Sequence, residues 1–184
     1  LSAMKNRYLY FAILLSFTGQ AQIYSGTTSL GSSMTIDITM NTTTDSLEME
    51  FSGPSSGYFS VGFGSTGMNG TYILLVNSNG TMAERKLGQY NGGSVLTSSI
   101  AYSAVTAGTT RTAYIERSRI GASTNHYTFP VSGGSIPLIW AKGGTSFGNH
   151  GNANRGIGTI NLVNQCNIPT TTLTPLSICL GDSV

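Results

Sequence analysis

The chain has 184 residues, of which only 9% are charged, and its formal net charge at pH 7 is +2. A protein that binds nucleic acid needs a strongly basic surface, so this charge balance excludes that class of function. The length suits one domain with a core of its own, and the abundance of Gly, Ser, Thr and Asn is typical of an extracellular β domain.

The first 21 residues have the pattern of a secretory signal peptide. Residues 4–7 are a short basic start, residues 8–17 are an apolar run, and small residues flank a cleavage site after Ala21. Residues 1–3 precede the start methionine and are predicted to be a translation artefact. The apolar run is too short for a membrane span, and no later segment is apolar enough for one, so we expect a secreted or cell-surface protein. The leader carries two of the nine basic residues, which leaves the mature chain nearly neutral.

The region after the signal peptide has the pattern of a series of short β-strands. Residues 34–40 and 46–51 alternate apolar with polar side chains, which predicts two half-buried strands, and residues 72–76 predict a strand covered on both faces. Further strands are predicted at residues 58–63, 81–90, 99–105, 111–117, 126–129, 136–141 and 156–162, whereas residues 23–33 are expected to be irregular. No stretch has helical periodicity for more than one turn. The sequence therefore predicts an all-β fold, an immunoglobulin-like antiparallel β-sandwich over residues 22–163.

The composition changes after residue 163. Residues 164–175 are rich in Thr and predict a linker, and residues 176–184 predict the start of a truncated further domain. That last segment is similar to the starts of Ig-like repeats in large secreted proteins of Bacteroidota, which implies a bacterial surface protein. Export permits a disulfide between Cys166 and Cys179, and the sequence leaves open whether they pair. Two cysteines are too few for a zinc site, and the absence of a CxxCH motif excludes covalently attached haem.

Patterns that resemble catalytic or nucleotide-binding motifs have ordinary explanations here. Residues 62–67 match GxGxxG and residues 144–148 match GxSxG, but neither match is followed by the helix that its chemistry requires. Glu48 and Glu50 share one strand face, which is better explained as a solvated surface than as an acid–base pair. We therefore expect a protein that is not an enzyme.

Two residues stand out by their position. Met68 lies in a tight glycine-rich turn, where a methionine has no strand face to fill. His150 lies in a second glycine-rich loop, and an ordinary loop histidine explains it equally well. His126 lies in a polar stretch and is expected to be exposed. We predict that Met68 and His150 face one pocket.

Four segments, taken in order, resemble the DOMON domains, a family of extracellular β-sandwiches that includes the cytochrome domain of cellobiose dehydrogenase. The segments are VGFG with GMNG in residues 58–72, Glu116-Arg117 in residues 111–117, IWAKG at 139–143, and HGNANRG at 150–156. Each piece alone is unspecific, whereas the ordered set is more specific and covers residues 34–163. One departure is that family members often carry an acidic residue soon after the methionine, where this chain has Thr71-Tyr72.

The resemblance implies a non-covalent b-type haem whose axial ligands map onto Met68 and His150. Such an iron has both axial positions filled and transfers electrons, and a methionine ligand raises its reduction potential. Arg155 is implied as a partner of a haem propionate, although a surface arginine explains it as well. The resemblance also implies apolar walls, from residues that ordinary core packing explains too: Tyr58, Phe59, Phe63, Tyr72, Trp140 and Phe147.

The resulting hypothesis is a secreted b-type cytochrome domain that passes single electrons to a redox partner protein or domain, which the sequence does not identify. The alternative is a non-haem extracellular module that binds carbohydrate or protein within a multidomain surface protein. Neither hypothesis involves nucleic acid or a membrane span.

Overall fold

The computed structural model describes residues 22–148 and 150–165, and these residues contain eleven β-strands, one 3-10 turn at Asn152–Asn154 and no α-helix. The strands are β1 (Ile23–Leu30), β2 (Met34–Asn41), β3 (Ser46–Pro54), β4 (Phe59–Phe63), β5 (Tyr72–Val76), β6 (Met82–Gly88), β7 (Asn91–Val95), β8 (Ala101–Ala107), β9 (Thr110–Ser118), β10 (Gly134–Lys142) and β11 (Arg155–Gln165). The prediction of an all-β fold is confirmed. The predicted signal peptide, the two cysteines and the tail after residue 165 lie outside the described residues. Within these ranges no helix has the length and apolar character to cross a bilayer.

All strand pairs are antiparallel, and the strands form one sheet in the order β7-β6-β5-β4-β10-β11-β1-β2-β3-β9-β8. The sheet curls, so that strands which are not neighbours in this order face each other. The ring of Phe51 on β3, for example, meets the ring of Phe59 on β4 edge-on, with 4.9 Å between the centroids. The structure thus shows a curled antiparallel sheet, and the immunoglobulin-like sandwich remains a prediction.

The inward face of the curled sheet forms the core, because alternate side chains of a strand point to the same side. The buried apolar side chains of β2 and β3 are those that the sequence pattern predicted: Met34, Ile36, Ile38, Met40, Leu47, Met49 and Phe51. Each such side chain stabilises the fold by about 1.5–3 kcal/mol through its removal from water. Glu48 and Glu50 are exposed on the outward face, as expected for a solvated strand surface.

Three segments differ from the sequence-based expectation. Residues 23–30, expected to be irregular, form β1 because they pair with β2 along their whole length and with β11 at their start. Residues 91–93, expected from Asn91-Gly92-Gly93 to be a turn, belong instead to β7 (Asn91–Val95), an exposed edge strand with an irregular register against β6. Residues 126–129, expected to be a strand, are not one. In β1 and β7 backbone pairing defines the strand, and no apolar alternation reveals it in the sequence.

A buried polar network crosses one end of the core. Glu84 is 1% exposed, and its Oε1 accepts hydrogen bonds from the Tyr72 hydroxyl at 2.5 Å and the Ser99 hydroxyl at 2.8 Å. Nη1 of Arg117 donates to the same Tyr72 oxygen at 2.8 Å. Burial raises the pKa of Tyr72, so its hydroxyl keeps its proton and links the carboxylate to the guanidinium.

The expectation that His126 is exposed was wrong. Its imidazole is buried beside Glu84, with Nε2 at 3.7 Å from Oε1 of that carboxylate. Its ring nitrogens hydrogen-bond to the Ser123 hydroxyl at 2.8 Å and to the Thr97 carbonyl oxygen at 3.2 Å. These partners satisfy the hydrogen-bonding groups of the buried imidazole. The polar residues around His126 in the sequence do not indicate that it is buried.

Gly31, in the turn between β1 and β2, offers a test of how closely this fold is packed. It has a φ of 65°, and a Cβ placed there would lie 2.7 Å from Cη2 of Trp140. We expect Gly31→Ala to lower the free energy of unfolding by about 2–4 kcal/mol, because left-handed backbone strain and overpacking add. Urea denaturation of the variant and the wild type measures this loss.

The matched control for Gly31 is Gly108, in the turn between β8 and β9. Gly108 has a φ of 59°, and a Cβ placed there would meet no atom within 4 Å beyond its chain neighbours. Gly108→Ala therefore carries the backbone strain alone and should cost about 1–2 kcal/mol. Equal losses for the two variants would contradict the contact between Gly31 and Trp140.

Candidate functional site

The outward face of β6, β5, β4, β10 and β11 forms the floor of an open cleft. One row of directly paired residues crosses all five strands: Arg85, Ile73, Gly62, Ile139 and Ile157. Directly paired residues project to the same side of a sheet, and all five line the cleft. The row is apolar apart from one arginine at its end, and its centre carries no side chain. The floor is therefore broad and apolar.

The cleft has a volume of about 1420 Å³. Pockets for small molecules and cofactors are typically ~300–1,000 Å³, so this cleft accommodates a large ligand. The loop between β4 and β5 borders it and carries Met68, and the loop after β10 borders it and carries Phe147 and His150. The structure therefore brings Met68 and His150 to one cleft from loops that are far apart in the sequence.

The Met68 loop is held by hydrogen bonds on both sides of the methionine. The amide of Thr71 donates to the Met68 carbonyl oxygen at 3.0 Å, and the Thr71 hydroxyl donates to the Gly67 carbonyl oxygen at 2.5 Å. Gly70, which has a φ of 73°, donates its amide to the Leu87 carbonyl oxygen on β6 at 2.9 Å. The half-buried Met68 side chain packs against a small apolar cluster that includes Ile73. Its thioether is thus placed at the border between this cluster and the cleft.

The imidazole of His150 is half-buried, and its Nδ1 lies 3.1 Å from the Gly151 carbonyl oxygen. A carbonyl oxygen only accepts hydrogen bonds, so Nδ1 carries the proton in this contact. Nε2 of the neutral ring then has a lone pair, which is the form of histidine that binds metals.

Tyr58 supports the His150 loop from beneath and does not line the cleft. Its buried hydroxyl donates to the Gly148 carbonyl oxygen at 3.0 Å, and its ring meets that of Phe147 edge-on at 5.2 Å. Burial raises the pKa of Tyr58, so the hydroxyl remains a donor at neutral pH. Phe147 itself lines the cleft.

Trp140 lies at the boundary between the core and the cleft. It is paired with Val61 on β4 and with Gly156 on β11, which places its side chain on the inward side of the sheet. A Cβ at Gly156 would lie 2.7 Å from the indole, so the ring covers that glycine closely. Trp140 still contributes to the cleft lining at its edge.

The structure does not bring Phe59, Phe63 and Tyr72 to the cleft. All three belong to the main core cluster on the other side of the sheet. The reason is the two-residue period of a strand: Gly62 and Ile73 face the cleft, so the adjacent Phe63 and Tyr72 face away from it.

Two arginines line the cleft. Arg155, at the start of β11, was predicted from the sequence and is exposed. Arg85 was not predicted, because the mixed polarity of residues 81–90 does not mark any one residue. Its place in the row across the cleft floor also depends on strand register, which the sequence does not show. Its Nε donates to the Gly92 carbonyl oxygen at 2.8 Å, and its guanidinium carbon lies 5.0 Å from the centroid of the Phe147 ring. No Asp or Glu is among the described residues that line the cleft, so its charge is positive.

Within the described ranges, no three His, Cys, Asp or Glu side chains group together to hold a metal ion. A thioether and one imidazole are too few ligands for a bare metal ion. They do suit an iron whose other four positions are filled by a macrocycle, as in haem proteins with Met/His ligation. The donor set and the broad apolar floor therefore fit haem better than a free ion.

The sequence matches no protein-family model, and no curated protein matches it. Among solved structures, the chain is similar to the cytochrome b domain of pyranose dehydrogenase from Coprinopsis cinerea. The match has a TM-score of 0.51 and 14% sequence identity, and it covers 70% of this chain and 76% of that chain. An identity this low shows the fold alone, so the comparison shows that this chain has a fold similar to that of this cytochrome b domain.

Proposed function

We propose that this chain contains an exported b-type cytochrome domain that transfers single electrons, with its haem iron bound between Met68 and His150. The observation that carries the proposal is that these two side chains, from separate loops, line the same cleft. The cytochrome b-like fold supports it. Export rests on the signal-peptide pattern of residues 1–21.

The cleft has the chemical character that a haem requires. Its floor is the largely apolar row centred on Gly62, and the Phe147 side chain provides further apolar contact. The positive charges of Arg85 and Arg155 suit the two carboxylates of the macrocycle.

The haem would supply the one-electron redox chemistry, and residues of this chain determine which reaction is favoured. Met68 and His150 would hold the group through a thioether and an imidazole, a ligand pair that suits electron transfer rather than the activation of oxygen. The hydrogen bond from His150 Nδ1 to Gly151 orients the ring, and the Met68 side chain packs against an apolar cluster. Methionine ligation favours a raised reduction potential.

One observation favours the alternative, an extracellular module that binds carbohydrate or protein without haem. A second cavity, of about 510 Å³, lies near the buried polar network and is lined by Tyr127 and by the hydroxyl residues Ser65, Ser123 and Thr128. An aromatic ring beside several hydroxyl groups can contact the apolar faces and the polar edges of a sugar.

A haem titration followed by visible spectroscopy tests the proposal. Addition of haem to the purified chain should give sharp low-spin bands in both the oxidised and the reduced state. Met82→Ala is the control for substitutions of Met68, because Met82 is a half-buried methionine on β6 that does not line the cleft. No binding at micromolar haem would contradict the cytochrome proposal and favour the binding module.

A further inference from the structure

Arg85 lies at the β6 end of the cleft floor, and its guanidinium is held in a fixed orientation. Nε donates to the Gly92 carbonyl oxygen at 2.8 Å, and Nη2 donates to the Gly93 carbonyl oxygen at 3.0 Å. The plane also lies over the Phe147 ring, at 5.0 Å from its centroid. Three contacts on different sides therefore define where the remaining donors of this side chain point.

The turn that holds Arg85 requires a glycine at position 93. Gly93 has a φ of 60°, and a Cβ at that position would lie 1.8 Å from the Lys86 carbonyl oxygen. The Asn91 side chain accepts a hydrogen bond from the Gly93 amide at 2.8 Å. The backbone carbonyls that orient Arg85 are thus part of a turn that only glycine can form.

The charge of Arg85 is not neutralised by the part of the chain that the structure describes. Both of its hydrogen-bond partners are neutral carbonyls, and the described lining of the cleft contains no acidic side chain. Nη1 has no acceptor among the described residues. A half-buried cation with unused donors at the wall of an apolar cleft favours an anionic ligand group there.

We propose that Arg85 forms a carboxylate-binding subsite, which takes a propionate of the haem. This inference rests on the proposed function for the identity of the ligand, and on the geometry of Arg85 for the chemistry of the subsite. A planar fork of N–H donors matches the two oxygens of a carboxylate, and the adjacent apolar floor favours an apolar body for the rest of the ligand. The subsite would act independently of Met68 and His150, because it would bind a carboxylate of the ligand and not the metal.

Metal-free protoporphyrin IX and its dimethyl ester separate this subsite from iron ligation. The two porphyrins have the same apolar body, and the ester lacks the carboxylates. We expect the purified chain to bind the acid more tightly than the ester by about tenfold or more, as measured from porphyrin fluorescence. Raised salt should reduce that preference, because the contact is partly open to solvent.

Arg85→Gln should weaken binding of the acid by about 10- to 100-fold and leave binding of the ester unchanged. Arg85→Lys, which keeps the charge without the fork, should lie between the wild type and Arg85→Gln. Lys142→Gln is the control for net charge, because Lys142 donates to the Ser33 hydroxyl at 2.7 Å and does not line the cleft. It should bind both porphyrins as the wild type does.

The results also separate this inference from the cytochrome proposal. A Met68→Ala/His150→Ala double variant should keep the preference for the acid, even though iron ligation is lost. The inference is overturned if the wild type binds neither porphyrin or does not discriminate between them, or if Arg85→Gln weakens both equally. If the acid preference depends on Arg85 while iron haem shows no low-spin bands, the subsite stands and the electron-transfer proposal fails.

Discussion

Replacement of His150 by alanine is expected to weaken haem binding by more than about 100-fold. The loss of a residue that merely orients a metal ligand typically costs ~10- to 100-fold in affinity, and the loss of the ligand itself should cost more. Met68→Ala removes the weaker thioether ligand, so the affinity should fall less, and the low-spin bands should be replaced by a high-spin spectrum. Visible titration of each variant with haem measures both effects.

Met68→His distinguishes ligation from packing at this position. A second imidazole can bind the iron, so the spectrum should stay low-spin, while the reduction potential should fall because the methionine that raises it is gone. A potentiometric titration measures the shift. If Met68→Ala and Met68→His both leave the spectrum and the potential unchanged, Met68 is not a ligand.

The second large effect is a loss of folding stability, which we expect when Arg117 in the core is replaced. Arg117→Met should lower the free energy of unfolding by about 3–5 kcal/mol, because it removes the permanent positive charge from the network around the buried Glu84 carboxylate. The Tyr72 hydroxyl would lose the donor that now lies at 2.8 Å. Urea denaturation measures the loss of stability.

Arg119→Met is the matched control, because Arg119 is as buried as Arg117 but forms its salt bridge with an exposed carboxylate. That carboxylate belongs to Asp45, whose side chain is 41% exposed and can be solvated when the arginine is removed. We expect a cost of about 1–2 kcal/mol, mainly from the lost hydrogen bond to the Phe129 carbonyl oxygen. Glu84→Gln combined with Arg117→Met should cost less than the sum of the two single changes. Strict additivity, or equal losses for the two arginine variants, would contradict the account of the network.

The parts of the fold that sequence analysis predicted are those in which side-chain chemistry alternates. β2 and β3 have one apolar and one polar face, so their inward residues could be assigned before the structure was known. β4 and β5 are buried on both faces. Nothing in their sequence tells which face meets the cleft, and Phe63 and Tyr72 were consequently expected at a site that they do not reach.

Two different signals led to the residues of the candidate site. Met68 stood out because a methionine in a glycine turn has no strand face to fill, whereas His150 was selected through the resemblance to the DOMON domains. The structure places both at the cleft. Arg85 could not be found in this way, because its role depends on register across five strands and on a turn that forms far from the predicted ligands. The buried position of His126 likewise depends on partners from three separate segments.

A crystal structure of the chain with bound haem tests the central claim most directly. The account predicts one iron between Met68 Sδ and His150 Nε2, with these two atoms roughly 4–4.5 Å apart, as the sum of typical metal–sulfur and metal–imidazole bonds requires. Haem bound outside the cleft, or an iron that lacks either side chain as a ligand, would contradict it.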